Sequence, residues 1–162
     1  MELKQALAAF DGRHTDTLKR LVRDRPFDGE ELLALCREPD VEVAATWVLK
    51  ALLENGVGRD WPLSRVFAAL PEIQAWEAQL HVLQCVQFAP EAALGVVEDI
   101  ENLMQSDRTL VRVWAMDALV RVADEQTNLR PRAEAHVAAA LAESAASLRA
   151  RARALKVICE GW

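Results

Sequence analysis

VRVWAMDALVRV, residues 111–122, recurs in weaker form at two other places in the chain. The earlier copy is VEVAATWVLKAL at residues 41–52, and the later one is LRARA at residues 148–152. The aliphatic residues and alanines of the copies recur with the spacing of one helical face. A repeat at intervals of roughly 30–40 residues indicates that the chain is built from copies of one helical unit.

The rest of the sequence also favours helices over strands. No stretch alternates apolar and polar residues with the β-branched and aromatic content of a strand, and alanine and leucine, both strong helix formers, dominate. Proline, glycine and short polar clusters divide the chain into about ten helices. We pair them into units of two: 2–10 with 14–24, 28–37 with 40–55, 63–70 with 72–88, 91–105 with 107–123, and 131–144 with 147–160. This pattern predicts an all-α fold, a right-handed α-α superhelix (α-solenoid) of about five helical hairpins forming a single domain over residues 1–162.

The second helices of the units share a register. Ala45, Ala78, Ala115 and Ala152 align at spacings of 33, 37 and 37 residues. In most of these helices, apolar residues three, four and seven positions later complete one stripe. We therefore expect the small residue to lie where neighbouring helices approach closely.

The segment Asp107–Leu119 resembles the second helix of a HEAT repeat. The matching positions are Asp107, Val111, Arg112, Ala115, Ala118 and Leu119, and residues 40–49 match with Glu42 in place of the arginine. The resemblance covers roughly residues 28–160. It implies a stand-alone bacterial protein of the kind related to the lyase-type HEAT repeats. It implies that the valine, alanine and leucine positions pack inside a solenoid, and that the aspartate and arginine bridge successive repeats. The first unit departs from the pattern, as a terminal cap does.

The charge distribution bears on the class of partner. The net charge is −6; residues 61–105 carry −5, whereas residues 106–162 carry +2. An acidic chain disfavours nucleic acid, because affinity for nucleic acid comes largely from neutralising phosphates. No apolar run is long enough for a membrane span, and the N-terminal segment turns polar at Asp11, too early for a secretory signal. We expect a cytoplasmic protein that does not bind membranes.

No sequence pattern points to a cofactor or a metal. Cys36, Cys85 and Cys159 are far apart, and no histidine stands at metal-ligand spacing from them. Phosphate-binding loops and catalytic signatures are also missing from the sequence. We therefore predict a non-enzymatic protein without cofactors.

Two groups of residues are candidates for partner binding. Trp114, Asp117 and Arg121 lie in the most regular second helix, where the tryptophan either lines the groove or packs against the next repeat. Arg149, Arg153 and Lys156 share a stripe of the last helix, from which Arg151 is expected to point away. This basic stripe is either a site for an anion or an acidic peptide, or a solvated outer face.

Three functional hypotheses follow. The first is a scaffold that binds a protein partner on the concave face formed by the second helices. The second is a HEAT-like nucleic-acid-binding protein or alkylpurine DNA glycosylase, a class that uses Trp, Asp and Arg side chains in a basic groove. Trp114, Asp117 and Arg121 have that chemistry, although they do not align with that family's motif and the net charge has the wrong sign. The third is a homo-oligomer formed through the helix 147–160, with Ile158, Cys159 and Trp162 as contact candidates.

Overall fold

The computed structural model describes residues 2–162. This part of the chain is all-α and contains no strand, which confirms the predicted fold class at that level. None of the helices within these residues is both long and apolar enough to cross a membrane. The ten α-helices are α1 (Leu3–Ala8), α2 (Asp16–Asp24), α3 (Gly29–Leu35), α4 (Glu42–Glu54), α5 (Ser64–Phe67), α6 (Trp76–Cys85), α7 (Val97–Leu103), α8 (Thr109–Glu125), α9 (Arg130–Leu141) and α10 (Ala146–Glu160).

The helices pack in chain order. Helix α3 packs on α4, α7 on α8, and α9 on α10, so that each of these pairs forms a unit. The second helices also contact one another in succession, from α2 to α4, α6, α8 and α10. The four alanines of the shared register, Ala45, Ala78, Ala115 and Ala152, are all 0% exposed. A side chain no larger than a methyl group at this position allows the neighbouring helices to approach closely.

The third unit is less regular than the sequence predicts. The expected helix 63–70 is α-helical only over Ser64–Phe67, and the expected helix 72–88 begins at Trp76, because Ile73 and Ala75 have extended backbones. The side chain of Glu42, at the start of α4, accepts a hydrogen bond from the Ala75 backbone N–H at 2.7 Å. A carboxylate at this position satisfies one free donor of α6 and interacts favourably with the positive end of the helix dipole.

The fourth unit also differs from the sequence prediction. In place of one helix over 91–105, a 3-10 helix spans Pro90–Val96 and is followed by α7. Gly95 falls near the junction, and glycine lowers helix propensity by about 1 kcal/mol relative to alanine. The tighter winding brings Ala93 and Val96 into the core.

Trp61 fills the loop between α4 and α5. A Cβ atom placed on Gly29 would lie 2.7 Å from its ring, and one placed on Gly58 would lie 2.6 Å away. Gly58 has φ +82°, in the left-handed region where glycine is favoured. The indole is therefore held between two glycine backbones, and this loop tryptophan has a packing role.

A polar contact joins α4 to α6. The Thr46 hydroxyl lies 2.7 Å from the Glu42 carbonyl oxygen, to which it donates, and 3.1 Å from His81 Nδ1. Since the hydroxyl proton is used on the carbonyl, the Nδ1–H of a neutral His81 donates to Thr46. Burial and the nearby Lys50 ammonium lower the pKa of His81 to about 4.

We expect this histidine to make stability depend on pH. The folded protein favours neutral His81, so its contribution is complete above the ordinary pKa of about 6.5 and is lost as the pH falls toward 4. Between pH 7.5 and pH 5, His81 accounts for a loss of about 2 kcal/mol in the free energy of unfolding. Urea denaturation of wild type and His81→Gln at both pH values measures this difference. An equal pH dependence in the two proteins would contradict the assignment.

The packing of α6 on α8 differs from that of α4 on α6 and from that of α8 on α10. Ala78 and Val82 of α6 are fully buried, as are Ala115 and Leu119 of α8. Within residues 2–162, no side-chain hydrogen bond or ion pair joins the two helices. Apolar packing and one cation–π contact, between Arg108 just before α8 and Trp76 at the start of α6, therefore hold these helices together. Polar links join α4 to α6 and α8 to α10.

Candidate binding surface

Asp117 connects α8 to α10 through a buried ion pair. Its side chain is 1% exposed, one carboxylate oxygen lies 3.4 Å from Arg121 Nε, and the other lies 3.3 Å from an Nη atom of Arg151. Arg121 lies one turn further along α8, whereas Arg151 lies on α10. The carboxylate is therefore occupied by two guanidinium groups and bridges two successive units.

Arg151 also covers the face of Trp114. The guanidinium carbon lies 4.3 Å from the centroid of the indole ring, within the range of a cation–π interaction. About a third of the Arg151 side chain remains exposed, and Trp114 is partly buried. The indole and the guanidinium together form a flat surface with an apolar part and remaining N–H donors.

An open groove of about 500 Å³ runs beside this pair between α8 and α10. Leu110, Val113 and Trp114 contribute one side, and Ala150, Arg151 and Ala154 contribute the other. Leu110 is 48% exposed, which is high for a large aliphatic side chain. This groove combines exposed apolar area with a cation, a composition suited to binding rather than to general solvation.

The other predicted basic residues do not join this surface. Arg149 donates hydrogen bonds to the carbonyl oxygens of Glu143 and Ser144, at 2.7 and 2.6 Å, and so holds the loop between α9 and α10. Arg153 is exposed, and the Lys156 ammonium lies 3.8 Å from Glu160 on the outer face. The predicted stripe therefore does not form one site with the Trp114 cluster.

Arg151 points away from the stripe of Arg149, Arg153 and Lys156, as the sequence predicts, and it contacts Asp117 and Trp114, which the sequence pattern did not indicate. It stands one residue before Ala152, as Trp114 stands one residue before Ala115, so both occupy the same position in the shared register. This equivalence was visible in the sequence and could have identified Arg151. The resemblance implied that Asp107 and Arg112 bridge to neighbouring repeats, but neither forms an ion pair within residues 2–162. The bridge between α8 and α10 is formed by Asp117 and Arg151.

The tryptophans of the second helices are all partly buried. Trp47 lies on α4, Trp76 on α6 and Trp114 on α8, and the Arg108 guanidinium lies 5.0 Å from the Trp76 ring centroid. Each ring thus packs against the core and retains some exposed surface. Trp114 combines the two alternatives drawn from the sequence, since it packs against the core and also lines the groove between α8 and α10.

The predicted oligomer contacts on the last helix have different environments. The Trp162 indole N–H donates to an Asp124 carboxylate oxygen at 2.8 Å, and the Arg130 guanidinium lies 5.1 Å from its ring centroid. Ile158 and Cys159 are partly buried, whereas Val157 is 70% exposed. Trp162 thus links α10 to the end of α8, and self-association through this helix stays a prediction.

A comparison with family models, with curated proteins and with solved structures finds no match for this chain. What the groove can bind is therefore inferred from its own side chains. Leu110 and Trp114 offer apolar contact area, and the donors that Arg151 does not use on Asp117 remain for an acceptor on a ligand. Asp117 is buried between two cations, and its ion pair with Arg151 holds that side chain in position.

Proposed function

We propose that this chain is a HEAT-like α-solenoid that acts as a non-enzymatic scaffold and binds a protein partner on the face formed by its second helices. The repeated sequence register and the successive packing of α4, α6, α8 and α10 support the solenoid architecture. The groove between α8 and α10 carries the binding proposal, because an exposed leucine, a tryptophan and a fixed arginine line it together. Aromatic and arginine side chains are enriched at the centres of protein interfaces.

The groove favours a partner segment of particular chemistry. Leu110 and Trp114 would contact an apolar side chain of the partner, and the free donors of Arg151 would bind a carbonyl or a carboxylate. Because Asp117 and Trp114 already position Arg151, little side-chain freedom is lost on binding. A short segment with one apolar and one acidic residue fits this surface.

Leu110→Ser is expected to reduce partner binding at least about tenfold, because it removes the most exposed apolar side chain of the groove. The matched control is Leu94→Ser: Leu94 is 44% exposed, against 48% for Leu110, but lies in the 3-10 helix Pro90–Val96. Immobilised wild type and both variants are used to recover partners from a cell lysate at low and high salt, followed by mass spectrometry. A salt-resistant protein recovered by wild type and Leu94→Ser, but not by Leu110→Ser, is the expected result. Equal recovery by all three proteins would contradict binding in the groove.

One observation favours the second candidate, a HEAT-like nucleic-acid-binding or alkylpurine DNA glycosylase-type protein. Trp114, Asp117 and Arg121 lie together on α8, and Arg151 joins them. Against it, both oxygens of Asp117 are engaged by guanidinium groups, and the net charge of −6 repels phosphates. A DNA mobility shift at low salt that disappears at high salt would support this candidate, and absence of binding at low salt would exclude it.

A further inference from the structure

One face of α10 is exposed, although the matching face of α8 is buried. The shared register relates each residue of α10 to the residue 37 positions earlier in α8, since Ala152 corresponds to Ala115. Five positions are exposed in α10 and buried in α8: Ala150, Arg153, Ala154, Val157 and Glu160, against Val113, Met116, Asp117, Val120 and Ala123. Helices α9 and α10 pack on α8, whereas α10 is the last helix within residues 2–162, so no later helix covers it there. The exposed face of α10 thus corresponds to a face that is covered in the preceding unit.

Val157 has the residue type of a covered position. It is 70% exposed and is the most exposed large apolar side chain among residues 2–162. Its counterparts in α6 and α8, Leu83 and Val120, are buried aliphatic residues. Removing an aliphatic side chain from water is favourable, so a contact that covers Val157 stabilises an assembly.

The charges beside Val157 are arranged so that two copies of α10 attract each other in one orientation. Arg153 and Glu160 are seven residues apart, which places them on one side of the helix and about 10 Å apart along its axis. Within residues 2–162, Arg153 forms no ion pair, and the Glu160 carboxylate has one, with Lys156 at 3.8 Å. Two parallel copies place Arg153 against Arg153 and Glu160 against Glu160. Two antiparallel copies place Arg153 of each copy opposite Glu160 of the other, so the charge pattern selects the antiparallel orientation.

We propose that this chain forms a two-fold symmetric dimer in which the exposed faces of two α10 helices pack antiparallel. The midpoint between Arg153 and Glu160 falls between Lys156 and Val157, so the valines of the two copies meet beside the symmetry axis. An Arg153–Glu160 pair then forms on each side of the valines, because a two-fold interface repeats every contact. The centre of this interface is apolar and its rim is charged, as is usual for protein interfaces.

The charge distribution along the chain permits this contact. The net charge of −6 makes two copies repel, but the −5 of residues 61–105 lies outside α10, and residues 106–162 carry +2. Since one helix face makes a small interface, we expect a weak dimer with a Kd on the order of 100 µM. Arg153, Val157 and Glu160 do not line the groove beside Trp114, so the dimer face is separate from the proposed partner-binding surface.

Sedimentation equilibrium of the full chain at several concentrations between about 20 µM and 1 mM tests the proposal. The weight-average mass of wild type is expected to rise from near that of one chain toward that of two. Val157→Ser should weaken the dimer at least about tenfold, because both copies lose their central apolar side chain. The matched control is Val57→Ser, at a valine that is 45% exposed but lies in the loop after α4, and it should dimerise as wild type does.

Charge reversal tests the antiparallel pairing. Arg153→Glu alone and Glu160→Arg alone should each weaken the dimer at least about tenfold, because each places like charges opposite at both ends. An equimolar mixture of these two variants should dimerise again, because each contact then joins an acidic side chain to a basic one. Arg20→Glu makes the same change of charge on α2, at an exposed arginine without an ion pair within residues 2–162, and should dimerise as wild type does.

Three results would each overturn the proposal: a wild-type mass of one chain at about 1 mM, a mass that exceeds two chains, or a mixture no more associated than its separate variants. The substituted side chains are exposed, and circular dichroism verifies that each variant keeps its helices. Leu110→Ser leaves the dimer face intact and should dimerise normally. Loss of partner binding in that variant and absence of the dimer in wild type are therefore separate outcomes.

Discussion

Asp117→Ala is expected to lower the free energy of unfolding by roughly 2–4 kcal/mol. The substitution leaves Arg121 and Arg151 without their common carboxylate and removes the link between α8 and α10. Loss of one partner of a buried ion pair commonly costs about 3–5 kcal/mol, and the lower range applies here because both arginines keep about a third of their surface in water. Urea denaturation monitored by circular dichroism measures the change.

Asp124→Ala provides the matched control on the same helix. Asp124 is exposed and accepts one hydrogen bond, from the Trp162 indole, so its removal should cost no more than about 1 kcal/mol. Asp117→Asn keeps the shape of the side chain without the charge and should fall between the two. Equal stabilities for Asp117→Ala and Asp124→Ala would show that the buried carboxylate does not hold α8 and α10 together.

Gly58→Ala is expected to destabilise the fold by about 2–4 kcal/mol, through two separate effects. The backbone at residue 58 has φ +82°, which disfavours any residue with a Cβ atom by about 1–2 kcal/mol. The new methyl group would also lie 2.6 Å from the Trp61 ring, and the ring cannot move away freely because Gly29 lies against it. Thermal and urea unfolding both report the effect.

Gly56→Ala separates these two effects. Gly56 has φ +81°, almost the same as Gly58, but an added Cβ atom there would meet nothing within 4 Å. This control should show the backbone strain alone, a loss of about 1–2 kcal/mol. The further loss in Gly58→Ala is then the contribution of the contact with Trp61. If both variants lose the same stability, the packing of Trp61 between the glycines contributes nothing measurable.

The sequence predicted the parts of the structure that depend on local pattern. The helical repeat and the shared alanine register identified helices α4, α6, α8 and α10 as one set, and all four alanines are buried. Aspartate is favoured at helix N-caps, and the Asp28 side chain, just before α3, accepts a hydrogen bond from the Glu30 backbone N–H at 2.9 Å. Such features are set by residues close together in the chain, so their pattern can be recognised directly.

The features that the sequence did not predict depend on residues far apart in the chain. Helical periodicity predicted that Arg151 points away from Arg149, Arg153 and Lys156, but not that it reaches Asp117 and Trp114 on α8. The start of α6 was missed because its cap is Glu42, 33 residues earlier. The burial of the Arg112 Nε atom without a hydrogen-bond acceptor has no sequence signal at all, since it depends on how neighbouring helices pack.

Of the candidate binding residues, Trp114, Asp117 and Arg121 do form one cluster, because they lie on a single helix with suitable spacing. Arg149, Arg153 and Lys156 were grouped by the same rule, but their neighbours give them separate roles. The spacing along a helix shows which side chains share a face. It does not show which neighbouring helix covers that face.

The contact between α6 and α8, which no side-chain hydrogen bond or ion pair spans within residues 2–162, has a mechanical consequence. Hydrogen bonds and ion pairs fix the relative position of two helices along their axes, because sliding by a few ångströms breaks them. Such links hold α4 to α6 and α8 to α10. Between α6 and α8, within the part of the chain that the structure describes, sliding or bending breaks no side-chain hydrogen bond. Among the contacts that join α4, α6, α8 and α10, this one is thus expected to deform first under load.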